Sequence, residues 1–530
     1  MKVRKYINMV EIKRISISRG LLLSVLLFYL FTFLPLNASA QRRMPCVRNI
    51  PTDKAKTRAA LDDPSQDWDP QRIYRQAVVL ISFADTDFSM DDPAGYYQRV
   101  LNERGYNEGH GQGCVADYFR DQSDGLLNLK FDVYGPFKVS VNANSGKSSY
   151  YGDDAMREAL QQLKAITTAD FSVYDWDGDG EVEQLVFIAA GFTGNQLSGY
   201  IWPNTNHTNS KAPGNLDIGM TSISCEKWKD GALCGIGTIC HEFTHCLGLP
   251  DIYPTGGTYF SAVDEWDLMD GGNYTNKGWC PPNFSAMEKM LLGWSSPIEL
   301  TTATTITGMK PVSEGGETYL IRNSGYADEY YLLENRRQTK WDYCIPGEGL
   351  AIFHVDFDKE EWSNNEVNSD MTHLRYDLFH ADGKDYLIWD PENNGKDMSK
   401  YTMDDWVRNR YLSTSVYPYT DPVSLVVNAS LTDDSEPASM VYKGYLEIEK
   451  DDKKDIKVWH PGMMSKSITN IRVASDGSVS FDFMQVPSGI EPVPALSDGE
   501  GEWYDLQGRR LSGKPTHKGV FIHNRKKVAL

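Results

Sequence analysis

The residues richest in chemistry lie between Cys240 and Asp251, which read CHEFTHCLGLPD. His241 and His245 are four positions apart, so on a helix both imidazoles leave one face a turn apart and can share a metal ion. Glu242, beside the first of them, places a carboxylate within reach of a water that such an ion activates. Gly248 lets the chain leave the helix sharply, Pro250 prevents its continuation, and Asp251 can swing back as a third ligand. Two neutral imidazoles, one carboxylate and an open fourth position are the donor set of a catalytic zinc, which acidifies water and polarises a scissile carbonyl. Glu242 is then the general base that takes the proton and later delivers it to the leaving amine. With ten histidines in 530 residues, chance gives HExxH in about one such chain in a hundred, and the Gly and Asp besides in about one in ten thousand. The spacing outweighs the bland reading of two ordinary histidines on a helix.

Three further groups attach to this motif. Glu265 to Gly272 (EWDLMDGG) sets Met269 in a tight, Gly-ended turn, the arrangement that metzincin-type peptidases use as a packed floor under zinc. Tyr253 and Tyr274 are near enough in sequence to be candidate oxyanion stabilisers, with plain packing as the alternative. Asp175 to Glu183 (DWDGDGEVE) presents carboxylates at alternate positions with Gly180 sixth. Asp175, Asp177, Asp179 and Glu183 are its candidate calcium ligands. Position twelve is Val186 and strand residues follow, which excludes an EF-hand and leaves a simpler structural calcium loop or a solvated acidic turn.

The elements that must hold these groups are mixed. Ala77 to Ala84 (AVVLISFA) suits a buried strand, and Leu127, Leu129, Phe131 and Val133 alternate with polar residues as in a half-buried one. Met156, Ala159, Leu160, Leu163 and Ile166 repeat at helical spacing, Leu185 to Ala190 returns to strand character, and SAMEKMLLGW is a helix stopped by Gly293. Beyond Pro297 the pattern becomes β: Tyr330 to Glu334, Leu350 to Phe357, and a hairpin turning at Asp476-Gly477. The expected fold is therefore α+β, a mixed α/β catalytic domain followed by a mostly β accessory domain and a short β tail.

HEFTHCLGLPD, EWDLMDGG and SAMEKMLLGW together resemble the immune inhibitor A family of secreted zinc metallopeptidases. The likeness extends upstream to GQGCVADYFRDQSDG and downstream to EYYLLENRRQTKWD and GLAIFHVDFD, covering about 75 to 390. It implies a metzincin-like fold, zinc on His241, His245 and Asp251, catalysis by Glu242, Met269 as the Met-turn residue, and protein or peptide substrates. Thr244 stands where the family commonly has Gly, and Cys114 and Cys344 interrupt familiar stretches; none removes a ligand.

The first 40 residues carry six Lys/Arg against one Glu, then an apolar run from Leu21 to Leu36 closed by Ala38-Ser39-Ala40, the form of an export signal. The run is too short for a membrane anchor, and no later segment is long and apolar enough to serve as one. Cleavage would take the formal charge from −20 to −25, which makes nucleic acid and anionic membranes poor partners. Residues 41–75 read as a leader or propeptide, or equally as a disordered extension. A catalytic domain (76–297), a β-rich accessory domain (298–485) and a linker (486–502) follow. The tail (503–530) resembles the C-terminal sorting segments of the type IX secretion route, which implies contact with secretion machinery and a secreted or cell-surface protein. Eight cysteines in an exported chain favour some disulfides, with Cys225 and Cys234 able to close a short loop. Cys46 could instead cap the open zinc position from the leader and hold the enzyme latent. Two rival readings stand beside it: a thiol peptidase built on Gln112-Gly113-Cys114, which leaves the zinc motif unexplained, and a catalytically silent surface module that binds polypeptide or glycan.

Overall fold

The computed structural model describes residues 68–485 except 256–260, 371, 385–409 and 451–454, together with Val47–Arg48 and short pieces of the tail. The expected export signal, Cys46 with most of the leader, and the linker 486–502 lie outside the described residues. Residues up to Met484 cluster as one compact unit and Gln485–Leu530 as another.

The strands expected from apolar runs form a six-stranded sheet. In chain order its strands and the helices between them are β1 (Val47–Arg48), β2 (Ile73–Ser82), α1 (Pro93–Asn102), α2 (Val115–Gln122), β3 (Asn128–Lys138), α3 (Asp153–Ile166), β4 (Glu181–Phe192), β5 (Asn204–His207) and β6 (Asp217–Lys227). The order across the sheet is β1-β5-β6-β4-β2-β3. β3, β2, β4 and β6 run parallel, which explains why β2 and β4 read as near-continuous apolar runs: helices cover both faces of a parallel sheet. β5 turns antiparallel against β6, and β1 pairs in parallel with β5. In α3 the helical repeat buries Met156, Ala159, Leu160 and Leu163 and leaves Ile166 exposed.

Next comes α4 (Gly237–Cys246), whose every residue is buried, and α5 (Ala286–Leu291). A capping box starts α5: Ser285 accepts from the Glu288 N–H while Glu288 reaches back to the Ser285 N–H.

A second sheet contains β7 (Ile298–Glu299), β9 (Tyr319–Arg322), β10 (Glu329–Arg336), β11 (Gly349–Asp356) and β12 (Tyr376–Leu378), ordered β12-β11-β10-β9-β7. β8 (Thr304–Met309) instead joins the hairpin of Ile468–Val473 and Val479–Phe483, which turns at the expected Asp476-Gly477 with Gly477 at φ 84°, a conformation that suits glycine. β10 and β11 are buried throughout because side chains alternate between two cores. Tyr330, Leu332, Ala351, Phe353 and Val355 join the core that holds the first sheet, whereas Tyr331, Leu333, Leu350 and Ile352 join a second one. This sheet is a common wall, so the region after 298 packs directly on the part carrying the zinc motif. The short helix α6 (Lys359–Ser363) follows β11 and sends Trp362 into the first core.

The fold is α+β with a β-rich C-terminal region, as the sequence patterns predict. In the tail, Trp503–Tyr504, Val520–His523 and Lys526–Ala529 form a separate antiparallel sheet. No helix among the described residues is long and apolar enough to cross a membrane.

Candidate metal centre

α4 sets His241 and His245 on one face, with ring centroids 4.7 Å apart and planes nearly perpendicular. After the helix Gly248 adopts φ 102°, a region L side chains avoid, and three residues later Asp251 is back against the imidazoles. The two Nε2 atoms are 3.2 Å apart, and Asp251 Oδ1 lies 3.3 Å from one and 3.2 Å from the other. A tetrahedral zinc with ligands about 2.0–2.1 Å away needs donor atoms roughly 3.3–3.4 Å apart. The triangle has that size, and the three residues are one of two groups with metal-ligating spacing among the described residues.

Proton positions decide what this triangle is. His241 Nδ1 lies 2.8 Å from the Leu268 carbonyl and His245 Nδ1 lies 2.7 Å from the Leu249 carbonyl. A carbonyl only accepts, so each Nδ1 carries the proton and donates it, leaving a lone pair on each Nε2. Three electron-pair donors thus converge in a buried site, an arrangement that a cation satisfies and that fits zinc.

The turn EWDLMDGG has two visible roles here. Leu268 supplies the carbonyl that fixes the His241 tautomer, and the Met269 carbonyl accepts from the Ile252 N–H at 2.9 Å, which ties the turn to the residue after Asp251. Met269 is fully buried. Asp267 Oδ1 accepts from the Met269 N–H, and Asp270 Oδ2 accepts from the N–H groups of Ala262, Val263 and Asp264.

Glu242 is 2% exposed, and its Oε2 accepts from the Thr205 hydroxyl at 2.8 Å. That hydroxyl also lies 3.0 Å from the Glu242 carbonyl oxygen, so β5 fixes the orientation of the candidate base. His241 and Glu242 line a small cleft with Trp202, Pro203, Thr238, Tyr253, Asn273 and Tyr274. Both candidate tyrosines are therefore beside the motif. Tyr253 is buried and stacks on His241, while Tyr274 is 39% exposed and accepts from Asn195 Nδ2 at 3.3 Å.

Residues 204–294, from β5 through the Met-containing turn to α5, match the family described as immune inhibitor A peptidase M6, catalytic domain. Over this segment the chain is similar to the immune inhibitor A peptidases. It is similar to the pre-pro-metalloprotease PrtV of Vibrio cholerae serotype O1, 24% identical over 277 residues, which cover 44% of this chain and 29% of that one. It is also similar to immune inhibitor A of Bacillus thuringiensis subsp. alesti, 25% identical over 394 residues, 62% of this chain and 53% of that one. The chain thus spans about half or less of these relatives. The matched segment contains α4, Asp251 and the turn around Met269.

The other group with ligating spacing is Asp175, Asp177 and Glu183, whose ligand atoms all lie within 4.8 Å of one another. Three of the four expected ligands are thus together, Glu183 buried at the start of β4 among them, and Asp179 is outside the group; its Oδ1 accepts from the Glu181 N–H two residues on. Asp175 accepts from the N–H groups of Gly178 and Gly180.

The cysteines do other things than expected. Cys225 and Cys234 are both thiols, the Cys225 Sγ–H directed at the Ile201 carbonyl instead of its expected partner. Cys114 is fully buried at the N-terminus of α2, where its sulfur accepts from the Asp117 N–H. Burial pushes its thiol up to about 12, the reverse of what a nucleophilic cysteine requires. Two residues at the site had no sequence signal: Thr205, and Asn365, whose side chain holds Asp251. Both reach the motif from distant segments by side-chain contacts with no periodicity behind them.

Proposed function

We propose that this chain is a secreted zinc-dependent endopeptidase that cleaves peptide bonds in proteins. The observation that supports it best is the convergence of the two Nε2 lone pairs and Asp251 Oδ1 at zinc-sized separations, with a buried carboxylate on the adjacent residue. His241, His245 and Asp251 would hold the ion. When bound, zinc supplies Lewis acidity toward the scissile carbonyl and toward water. Glu242, oriented by Thr205, takes the proton of the attacking water and returns it to the departing amine. Tyr253 and Tyr274, which line the cleft, would donate from their hydroxyls to the oxygen that gains charge. Trp202 and Pro203, just ahead of β5, form the wall along which an extended peptide lies.

The test is casein hydrolysis by purified full chain with and without Glu242→Gln. Retained zinc content with a fall in kcat of about 10²–10⁴-fold is expected for loss of a general base. Hydrolysis equal to wild type, or a wild-type protein that takes up no zinc, overturns the reading.

Export by the N-terminal segment and sorting by the tail complete the proposal. Within it, the segment ahead of β2 is a propeptide that keeps the site latent, ending before Ile73 because Ile73–Arg75 already pair with β3: Val47–Arg48 pair with Thr205–Asn206 of β5, the strand that orients Glu242, and Cys46 precedes them directly. Asp175, Asp177 and Glu183 hold a structural calcium ion that fastens the approach to β4.

A further inference from the structure

A carboxylate that serves a metal through one oxygen needs its other oxygen and its backbone accounted for, above all in a buried site. Asp251 lies after the Gly248 bend, on neither helix nor strand, so no repeating backbone pattern aims it. The aiming comes from Asn365. Its Oδ1 accepts from the Asp251 N–H at 2.6 Å and its Nδ2–H donates to Asp251 Oδ2 at 2.8 Å. One amide thus grips main chain and side chain together and leaves Oδ1 as the oxygen facing the imidazoles. Both residues are buried, Asp251 wholly and Asn365 to 5%.

Asn365 is itself fixed. It sits at φ 60°, a backbone state asparagine tolerates better than most residues. Its N–H donates to the Trp362 carbonyl, and its carbonyl accepts from Thr255 Oγ1 at 2.7 Å. Three residues on, Asn368 Nδ2 donates to the carbonyls of Ile252 and Tyr376, each at 2.8 Å. The loop after α6 is therefore bound to the third ligand and to Ile252 and Thr255 just after it. This brace lies beyond 294, where the family match ends.

We propose that Asn365 is a positioning residue for the metal, holding Asp251 as a ligand through Oδ1 alone; the proposal rests on the zinc reading above. Asparagine is suited because it offers an acceptor to the N–H and a donor to the carboxylate at once. Aspartate has no such donor at neutral pH and would set two carboxylates face to face. It follows that the β-rich region completes the metal site.

The test uses metal-depleted full chain, titrated with Zn²⁺ against a chromophoric chelator and separately with Co²⁺ read by visible absorption. Asn365→Gly keeps the left-handed backbone and removes only the amide. Weakening of zinc binding by about 10- to 100-fold is expected, as for other partners of metal ligands, with an altered Co²⁺ spectrum because the carboxylate is free to turn. Asn365→Asp, which preserves shape, should lose at least as much, and decides the matter should the glycine variant not fold. Zinc affinity within twofold of wild type together with an unchanged Co²⁺ spectrum overturns the positioning role alone. Wild-type protein that binds neither metal overturns the zinc reading and this proposal with it.

Discussion

Replacing Thr205 by Val tests how much of the activity depends on orienting Glu242. The hydroxyl donates to Glu242 Oε2 at 2.8 Å, and Thr205 and Glu242 are 0% and 2% exposed. Hydrogen bonds to charged, buried groups contribute about 1.5–3 kcal/mol. Valine is close to isosteric, so the loss falls on the hydrogen bond and on the freedom it gives the carboxylate. Were the whole of it felt in the transition state, kcat would fall by about 10- to 150-fold. KM should change little, because Thr205 is not among the residues lining the cleft, and zinc content should not change, because Glu242 is not in the ligand triangle. The assay is steady-state hydrolysis of a quenched fluorescent peptide, with metal analysis of the same samples. Thr205→Ser, which restores the donor, should recover most of the loss. A Thr205→Val enzyme with kcat within twofold of wild type would refute the reasoning, and so would one whose loss is entirely in bound zinc.

Three other perturbations follow from the same structure. Burial pushes the Asp267 carboxyl up to about 6 and that of Glu288, beside it, well above its usual range. An acid raised in the folded state gives stability that is complete below its unfolded pKa of about 4 and is lost as pH climbs through 6. Asp267→Asn keeps an acceptor for the Met269 N–H, so its Tm should vary less with pH between about 4 and 6 than that of wild type; scans with equal slopes would contradict this. A calcium-selective chelator should lower the Tm by roughly 1 °C for each kcal/mol of binding lost from a unit of this size, and Glu183→Gln should abolish that response; a wild-type Tm indifferent to calcium removes the cation loop. Cys46→Ser in the uncleaved chain should raise peptide hydrolysis above that of the uncleaved parent, whereas equal inactivity would dispose of thiol-held latency.

What was legible in the sequence was local. A helix, a Gly-permitted bend and a stop at Pro250 are short-range consequences of backbone chemistry, so the spacing from His241 to Asp251 is enough to predict a triangle of ligands. The strands were readable for a related reason: Val78 to Ile81 and Leu185 to Ile188 are apolar in succession because helices cover both faces of the sheet. Short-range chemistry also misled. Alternating acids in DWDGDGEVE suggest four ligands, yet only Asp175, Asp177 and Glu183 come within ligating distance of one another and Asp179, bonded to the Glu181 N–H, is not in the group. Alternation in β10 and β11 was blurred in the opposite way, since two cores leave both sets of side chains apolar.

The illegible part is the part that aims the chemistry. His241 depends on the Leu268 carbonyl, Glu242 on Thr205 and Asp251 on Asn365, contacts that span 27, 37 and 114 residues. Each is made by a single polar group whose meaning comes from the fold that delivers it. A ligand motif can be written in twelve consecutive residues because a helix supplies its geometry. The choice of tautomer, of carboxylate oxygen and of base orientation requires groups that approach from outside that helix. Activity should therefore be lost by substitutions at Thr205 and Asn365 that leave every residue of HEFTHCLGLPD untouched, and a segment cut at 294 should bind zinc less tightly than the full chain even where its own helix forms.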